Sequence, residues 1–209
     1  MTTDLNLTRS YDMAAGRWRT KVEGLGYAAA YRWLIDQSGL CTASTSVLDV
    51  GCGTGEFSRA LIEVAGRPGC LTLLDPSSEM AAAALRSLTH FTADLQAVTA
   101  PLEDAPSHPH DIVLCAHVIE HFDDPQKALH LLKAQLAPGG RMILVVSKPH
   151  WCNWIIWLRW RHRRIKPNVM RAYLAAVGLH CLWDAGFPAG PPSRSSHAYL
   201  ITHQKEPTL

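Results

Sequence analysis

Asp49, Gly51, Gly53 and Gly55 fall on alternate positions, and Asp75 follows 20 residues beyond Gly55. His117, Glu120 and His121 form a second short cluster further on. Glycines at alternate positions let a ligand lie against bare backbone. The spacing is G-x-G-x-G, whereas a dinucleotide loop is G-x-G-x-x-G with a pyrophosphate on a helix N-terminus. A carboxylate such as Asp49 beside the loop would repel a pyrophosphate but suits a ligand carrying an ammonium group. An acid at the spacing of Asp75 accepts hydrogen bonds from two ribose hydroxyls. His117-x-x-Glu120-His121 fits the H-x-x-E-H zinc pattern, which requires a helix. Here it directly follows a predicted strand, so proton transfer by His117 or His121 is the better chemical reading. A structural histidine remains an equal alternative at either position.

These residues need rigid elements behind them. Val47, Leu48 and Val50 predict a strand covered on both faces, and Glu56 opens a helix to about Val64. A strand, a glycine turn and a helix start make the nucleotide crevice of a doubly wound α/β sheet. Cys70–Leu74 reads as the second strand, ending at Asp75, with Ser77 as the N-cap of the next helix. Leu95–Val98 and Asp111–Ala116 read as the third and fourth strands. A helix is expected over Lys127–Leu136, closed by Ala137–Gly140, then a strand over Arg141–Val146. The last helix is expected over Asn168–Val177 with Gly178 as its C-cap. Two closing strands, Leu179–Trp183 and His197–Thr202, flank a Pro/Gly-rich turn. Upstream, Tyr27, Tyr31 and Leu34 mark one face of an amphipathic helix, with a break at Gly24 and Gly26.

Asp49-Val50-Gly51-Cys52-Gly53-Thr54-Gly55 after a hydrophobic strand resembles motif I of the class I S-adenosylmethionine (SAM)-dependent methyltransferases. SAM carries an ammonium and a sulfonium and no phosphate. Asp75-Pro76-Ser77-Ser78-Glu79-Met80 is similar to the D-x-S-x-x-M continuation of that family. His117–Pro125 resembles the Glu-His segment of the subset that includes ubiquinone/menaquinone C-methyltransferases, and Leu136–Gly140 matches its L-x-P-G-G run. The resemblance covers residues 44–148, and the remainder in topology. It implies a Rossmann-like, seven-stranded, mostly parallel sheet with an antiparallel last strand.

The resemblance also implies SAM as cofactor, S-adenosylhomocysteine (SAH) as product, and a small-molecule acceptor methylated on oxygen, nitrogen or carbon. Asp49, Gly51, Cys52, Gly53 and Gly55 would hold the methionine end and Asp75 the ribose, with Pro76 beside it in the cofactor set, and Met80 would pack either near the adenine or in the core. Pro101 stands where relatives carry an acid, so the Leu102 backbone and Glu103 or Asp104 are expected at the adenine instead. Ala116 completes the cofactor set, and His117 or His121 is the expected catalytic base. Arg194 and His197 are further pocket residues on the closing hairpin. Other readings are a SAM/SAH-binding regulatory protein without turnover, an NAD-dependent oxidoreductase, and a methyltransferase acting on a lipid-soluble or macromolecular acceptor.

With 209 residues, 47% hydrophobic content and a net charge of +2, a single domain over 1–209 is expected, and no nucleic-acid partner. Residues 1–40 would form a helical cap and 149–167 a lid-like insertion. Met1–Ser10 lacks the apolar core of a signal peptide, and no apolar run reaches the ~18 residues of a membrane span. Six scattered cysteines without a C-x-x-C fit free thiols in the cytoplasm. Residues 151–166 carry four of the seven tryptophans, with five basic residues close behind. That stretch suits a lid, a peripheral membrane contact, a homodimer contact, or a helix packed on the core with a solvated basic end.

Overall fold

The structure, a computed structural model, describes residues 5–91, 94–106, 108–149 and 164–203. The expected hydrophobic runs become β1 (Ser46–Val50), β2 (Cys70–Asp75), β3 (Leu95–Thr99), β4 (His110–Ala116), β5 (Leu136–Ser147), β6 (Leu179–Gly186) and β7 (Ser196–His203). They pair in one sheet in the order β3-β2-β1-β4-β5-β7-β6. β1 pairs in parallel with β2 on one side and β4 on the other. β2–β3 and β4–β5 are parallel too, whereas β7 runs antiparallel to both β5 and β6. The strand order reverses at β1, and a doubly wound sheet opens its binding crevice at such a switch, outside the strands' carboxyl ends.

The helices are α1 (Leu5–Gly24), α2 (Tyr27–Ser38), α3 (Glu56–Ala65), α4 (Ser78–Leu88), α5 (Pro125–Ala134), α6 (Pro167–Ala176) and the short α7 (Gly190–Ser195). Side chains alternate across a strand, so each central strand feeds two cores. Val47, Ile112 and Leu114 pack on one face with Leu34, Ile35 and Leu61. Leu48, Val113 and Cys115 pack on the other with Leu129, Leu132 and Leu174. The Ser77 hydroxyl caps α4 by accepting from the Met80 amide at 3.1 Å. Asp124 caps α5 in the same way through the Gln126 amide at 2.9 Å, with Pro125 in its first turn.

Two boundaries differ from expectation. Helix α5 ends at Ala134, and Leu136 already pairs with His110 as the first residue of β5. The Ala137–Gly140 run is an irregularity inside the strand, where the register skips from His110–Leu136 to Ile112–Arg141. Gly140 permits it, because a Cβ there would lie 2.9 Å from both the Ala137 and the Asp111 carbonyl oxygens. The turn-rich segment after β6 contains the short α7, and β6 itself runs on to Gly186. Most of the Trp/Arg-rich stretch, residues 150–163, lies outside the described residues. Its end is anchored: Ile165 is buried in the second core and its amide donates to the Ser147 carbonyl at 2.9 Å.

Candidate active site

A cavity of about 330 Å³ opens at the carboxyl ends of β1, β2 and β4. The glycine loop is tied to the neighbouring strand: the Gly51 and Cys52 amides donate to the Leu74 carbonyl at 2.7 and 3.1 Å. Gly51 has φ +66°, and a Cβ there would stand 2.3 Å from Val118 Cγ2. The loop after β1 and the segment after β4 are thus interlocked. Asp75 Oδ2 accepts from the Gly53 amide and Oδ1 from the Ser77 amide, both at 2.9 Å. Asp49 Oδ2 accepts from the Ser58 hydroxyl at 2.6 Å.

Burial dominates both acids. It pushes Asp49 up to about 7, against the Ser58 hydrogen bonds and with the charges of Asp75 and Glu56 adding. It pushes Asp75 up to about 6, against the Ser77 and Gly53 amides. A buried carboxylate whose charge is disfavoured is one that gains from a cationic ligand.

Asp49, Gly51, Cys52 and Gly53 stand on the cavity wall, as do Asp75 and Pro76 from the end of β2. Leu102 and Glu103 reach it from a one-turn 3₁₀ helix, Leu102–Asp104, that follows β3. Ala116, His117 and His121 reach it from the end of β4 and beyond. Gly55 and Met80 are not on the wall. Gly55 sits against Ala84 and Leu88 of α4, and Met80 is buried at the start of that helix. Arg194 and His197 also lie off the wall, which takes Ser195 instead. His197 Nε2 contacts Asp184 Oδ2 at 2.7 Å, and Arg171 clamps both oxygens of the same carboxylate.

The other wall is aromatic. Tyr11 and Trp18 of α1, Tyr27 and Tyr31 of α2, and Phe57 of α3 face the cavity. Helix α1 is held over it by polar contacts: Asp12 accepts from the Ser77 hydroxyl at 2.5 Å, and Arg19 Nε donates to Glu56 at 2.9 Å. His121 Nε2 lies 3.3 Å from the Tyr11 hydroxyl. Burial lowers the pKa of His121, with Glu120 opposing and His117 adding.

His117 directly follows β4 with φ +60°, a conformation a non-glycine residue seldom adopts. Its Nδ1 lies 3.2 Å from Glu120 Oε1 and 3.1 Å from Ser147 Oγ, and its Nε2 lies 3.4 Å from Ser196 Oγ. The Tyr27 hydroxyl in turn lies 2.9 Å from Ser196 Oγ. Glu120 is buried, and its Oε1 also accepts from the Ser147 amide at 2.6 Å. Burial, the largest single influence, raises its pKa. The His117 contact, the Ser147 amide and the His121 charge outweigh it and hold the carboxyl at about 2.

Glu120, Ser147, Ser196 and Tyr27 were absent from the residues expected in the site. The H-x-x-E spacing was a signal for Glu120. The others are 27 to 169 residues from their partners, and only the topology brings them in. Among the described residues, no group of three or more His, Cys, Asp or Glu is placed to hold a metal ion.

A switch-point crevice with a glycine loop, a carboxylate at the end of β2 and an aromatic wall is the arrangement of a nucleoside-binding α/β protein. A family model described as a methyltransferase domain matches residues 22–187. The chain belongs to the class I SAM-dependent methyltransferase family. It is 34% identical over 116 residues to a ubiquinone biosynthesis O-methyltransferase of Pseudomonas paraeruginosa, covering 54% of this chain and 47% of that one. A protein of the same name from Rhodopseudomonas palustris is 27% identical over 171 residues, covering 72% and 64%. The chain spans about half the length of most of the curated relatives it matches.

Solved structures share the fold. The N-methyltransferase NodS of Bradyrhizobium japonicum, in complex with SAH, superposes with a TM-score of 0.76 at 15% identity, covering 96% of this chain and all of that one. A Haloferax volcanii methyltransferase, in complex with the activator Trm112, gives 0.76 at 21% identity, covering 92% and 97%.

Proposed function

We propose that this protein transfers a methyl group from SAM to an oxygen atom of a small-molecule acceptor, with His117 taking the acceptor's proton. The observation that carries this is one cavity joining the glycine loop and Asp75 to the His117 cluster. The residues present fit SAM. Asp49, buried and pushed up to about 7, recovers its charge beside an ammonium group. Asp75 keeps lone pairs for a ribose diol beyond those used by Gly53 and Ser77. The Leu102 turn offers backbone and the Glu103 carboxylate at the base end.

When bound, SAM supplies a sulfonium methyl open to in-line displacement. The chain's own contribution is to align the two reactants, to keep them between aromatic walls, and to hold a proton acceptor at the end of β4. The relatives' naming as O-methyltransferases supports oxygen as the atom methylated. The five described cysteines are free, which supports a reducing compartment such as the cytoplasm.

The test is SAM with a labelled methyl group, incubated with purified protein and a host extract that is then fractionated. Label in aqueous small molecules is expected. Label in lipid would assign a lipid-soluble acceptor, and label in RNA or protein a macromolecular one. No label despite measured SAH binding would replace the enzyme with a regulatory binder.

A further inference from the structure

The conformation of His117 deepens the methyl-transfer reading, on which this inference rests. We propose that Glu120 is the positioning residue of the reaction. It holds the His117 proton on Nδ1, so that Nε2, turned toward Ser196 and Tyr27, is the atom that removes the acceptor's proton.

The hydrogen-bond inventory fixes the tautomer. An ionised carboxylate only accepts, and its Oε1 lies 3.2 Å from His117 Nδ1. Nδ1 must therefore donate, since two lone pairs facing each other at this distance would repel. The Ser147 amide donates to Glu120 Oε1 and the His117 contact adds to it, and both favour the ionised carboxylate against burial. It cannot turn away, because the same oxygen also accepts the Ser147 amide at 2.6 Å. Its other oxygen, Oε2, is buried and has no hydrogen-bond partner among the described residues, so the charge of Glu120 is spent on His117 and Ser147.

The backbone supports the arrangement. At φ +60°, His117 sits in a region that a non-glycine residue seldom adopts and that persists only where its surroundings demand it. The left-handed residue turns the chain at the end of β4, and the 3₁₀ turn Ile119–His121 follows. The Glu120 carboxylate thereby comes back to Nδ1 of the ring. The side chain of His117 is 28% exposed whereas that of Glu120 is 1% exposed, so the imidazole meets the cavity and the carboxylate stands behind it. Nε2 carries the lone pair, and in the resting state the Ser196 hydroxyl, 3.4 Å away, donates to it. Ser196 has an alternative partner in the Tyr27 hydroxyl at 2.9 Å, and can release Nε2 to an incoming acceptor.

The step balances. The acceptor O–H bond breaks and its proton goes to Nε2, while the oxygen's electron pair forms the new bond to the methyl carbon. The carbon–sulfur pair stays on sulfur, which becomes a neutral thioether. The imidazolium that results is countered by Glu120 through Nδ1–H, and its proton later leaves to water.

The closing experiment reads the ring and the reaction separately. Nitrogen-15 NMR of the imidazoles, with His117 assigned by comparison with His117→Asn, should show the proton on Nδ1. Glu120→Ala should shift those signals toward a tautomer mixture. Glu120→Gln keeps an acceptor oxygen for Nδ1–H but loses the charge, so it should keep the tautomer while kcat falls about 100-fold with KM for SAM unchanged. Retained SAH binding and a normal melting transition show that each variant is folded. An Nε2–H tautomer in the unaltered protein, or a Glu120→Gln enzyme with undiminished kcat, overturns the proposal. A protein that has the Nδ1–H tautomer yet transfers no methyl group refutes the methyl-transfer reading itself, and with it the catalytic half of this proposal.

Discussion

Gly51→Ala tests the interlock between the glycine loop and the segment after β4. An alanine at φ +66° costs about 1–2 kcal/mol for its left-handed backbone. Its Cβ would also lie 2.3 Å from Val118 Cγ2, well inside contact distance. Val118 is β-branched and stiff at χ1, with a helical backbone (φ −105°, ψ −49°), so the methyl cannot simply swing aside. Forced overpacking of this kind costs a further ~1–3 kcal/mol. The sum is about 2–5 kcal/mol, a large share of the 5–15 kcal/mol of a typical domain.

Val118→Ala removes the clashing methyl and costs about 1 kcal/mol of its own, since the side chain is only half-buried. The double variant should keep the backbone cost and lose the clash. The cycle then yields a coupling of about 1–3 kcal/mol in favour of the pair. Urea denaturation measures it as a shift of midpoint at constant slope, and calorimetry with SAH reads whether the loop still binds. A Gly51→Ala protein within about 0.5 kcal/mol of the original, or strictly additive variants, would refute the interlock.

Two further outcomes follow from the same site. Asp49 and Asp75 are raised to about 7 and about 6, so at these two carboxyls the ligand-free folded state holds more protons than the unfolded chain between pH 4 and 7. Their contribution to stability should therefore fall as pH rises through that window and level off above it, while SAH affinity should rise over the same window as Asp49 ionises beside the ammonium. Thermal unfolding and calorimetry from pH 5 to 8 check both trends, and Asp49→Asn should flatten them. Ser77→Ala removes the cap of α4 and the partner of Asp12 together, costing about 1 kcal/mol. Faster hydrogen exchange over residues 5–24 would show that α1 is held down from α4.

The parts of the site legible in the sequence are those whose signals are local. The glycine spacing, the acid at the end of β2 and the Ser77 cap each depend on a few adjacent residues, and each stands where expected. Met80 matched its motif by spacing with a core and a ligand role both open, and the structure buries it at the start of α4. The L-x-P-G-G run read as a stop between helix and strand, and only the pairing of Leu136 with His110 shows that it lies inside the strand. The surroundings of His117 were the least legible. Ser147 and Ser196 come from β5 and β7, and Tyr27 from the opposite end of the chain. No spacing rule reaches across 79 residues; strand order does. A helix drawn through His117–His121 would also have hidden the left-handed turn that sets the ring.

Because β7 runs against its neighbours, its first residue, Ser196, arrives at the edge where β1 and β4 end. This bears on how the protein is made. A chain emerging from the ribosome has its glycine loop, Asp75 and His117 well before it has Ser196. At about 5–20 residues per second, the 79 residues between His117 and Ser196 take roughly 4–16 s to synthesise. During that interval the hydroxyl of Tyr27 and the far nitrogen of His117 still await the serine that joins them.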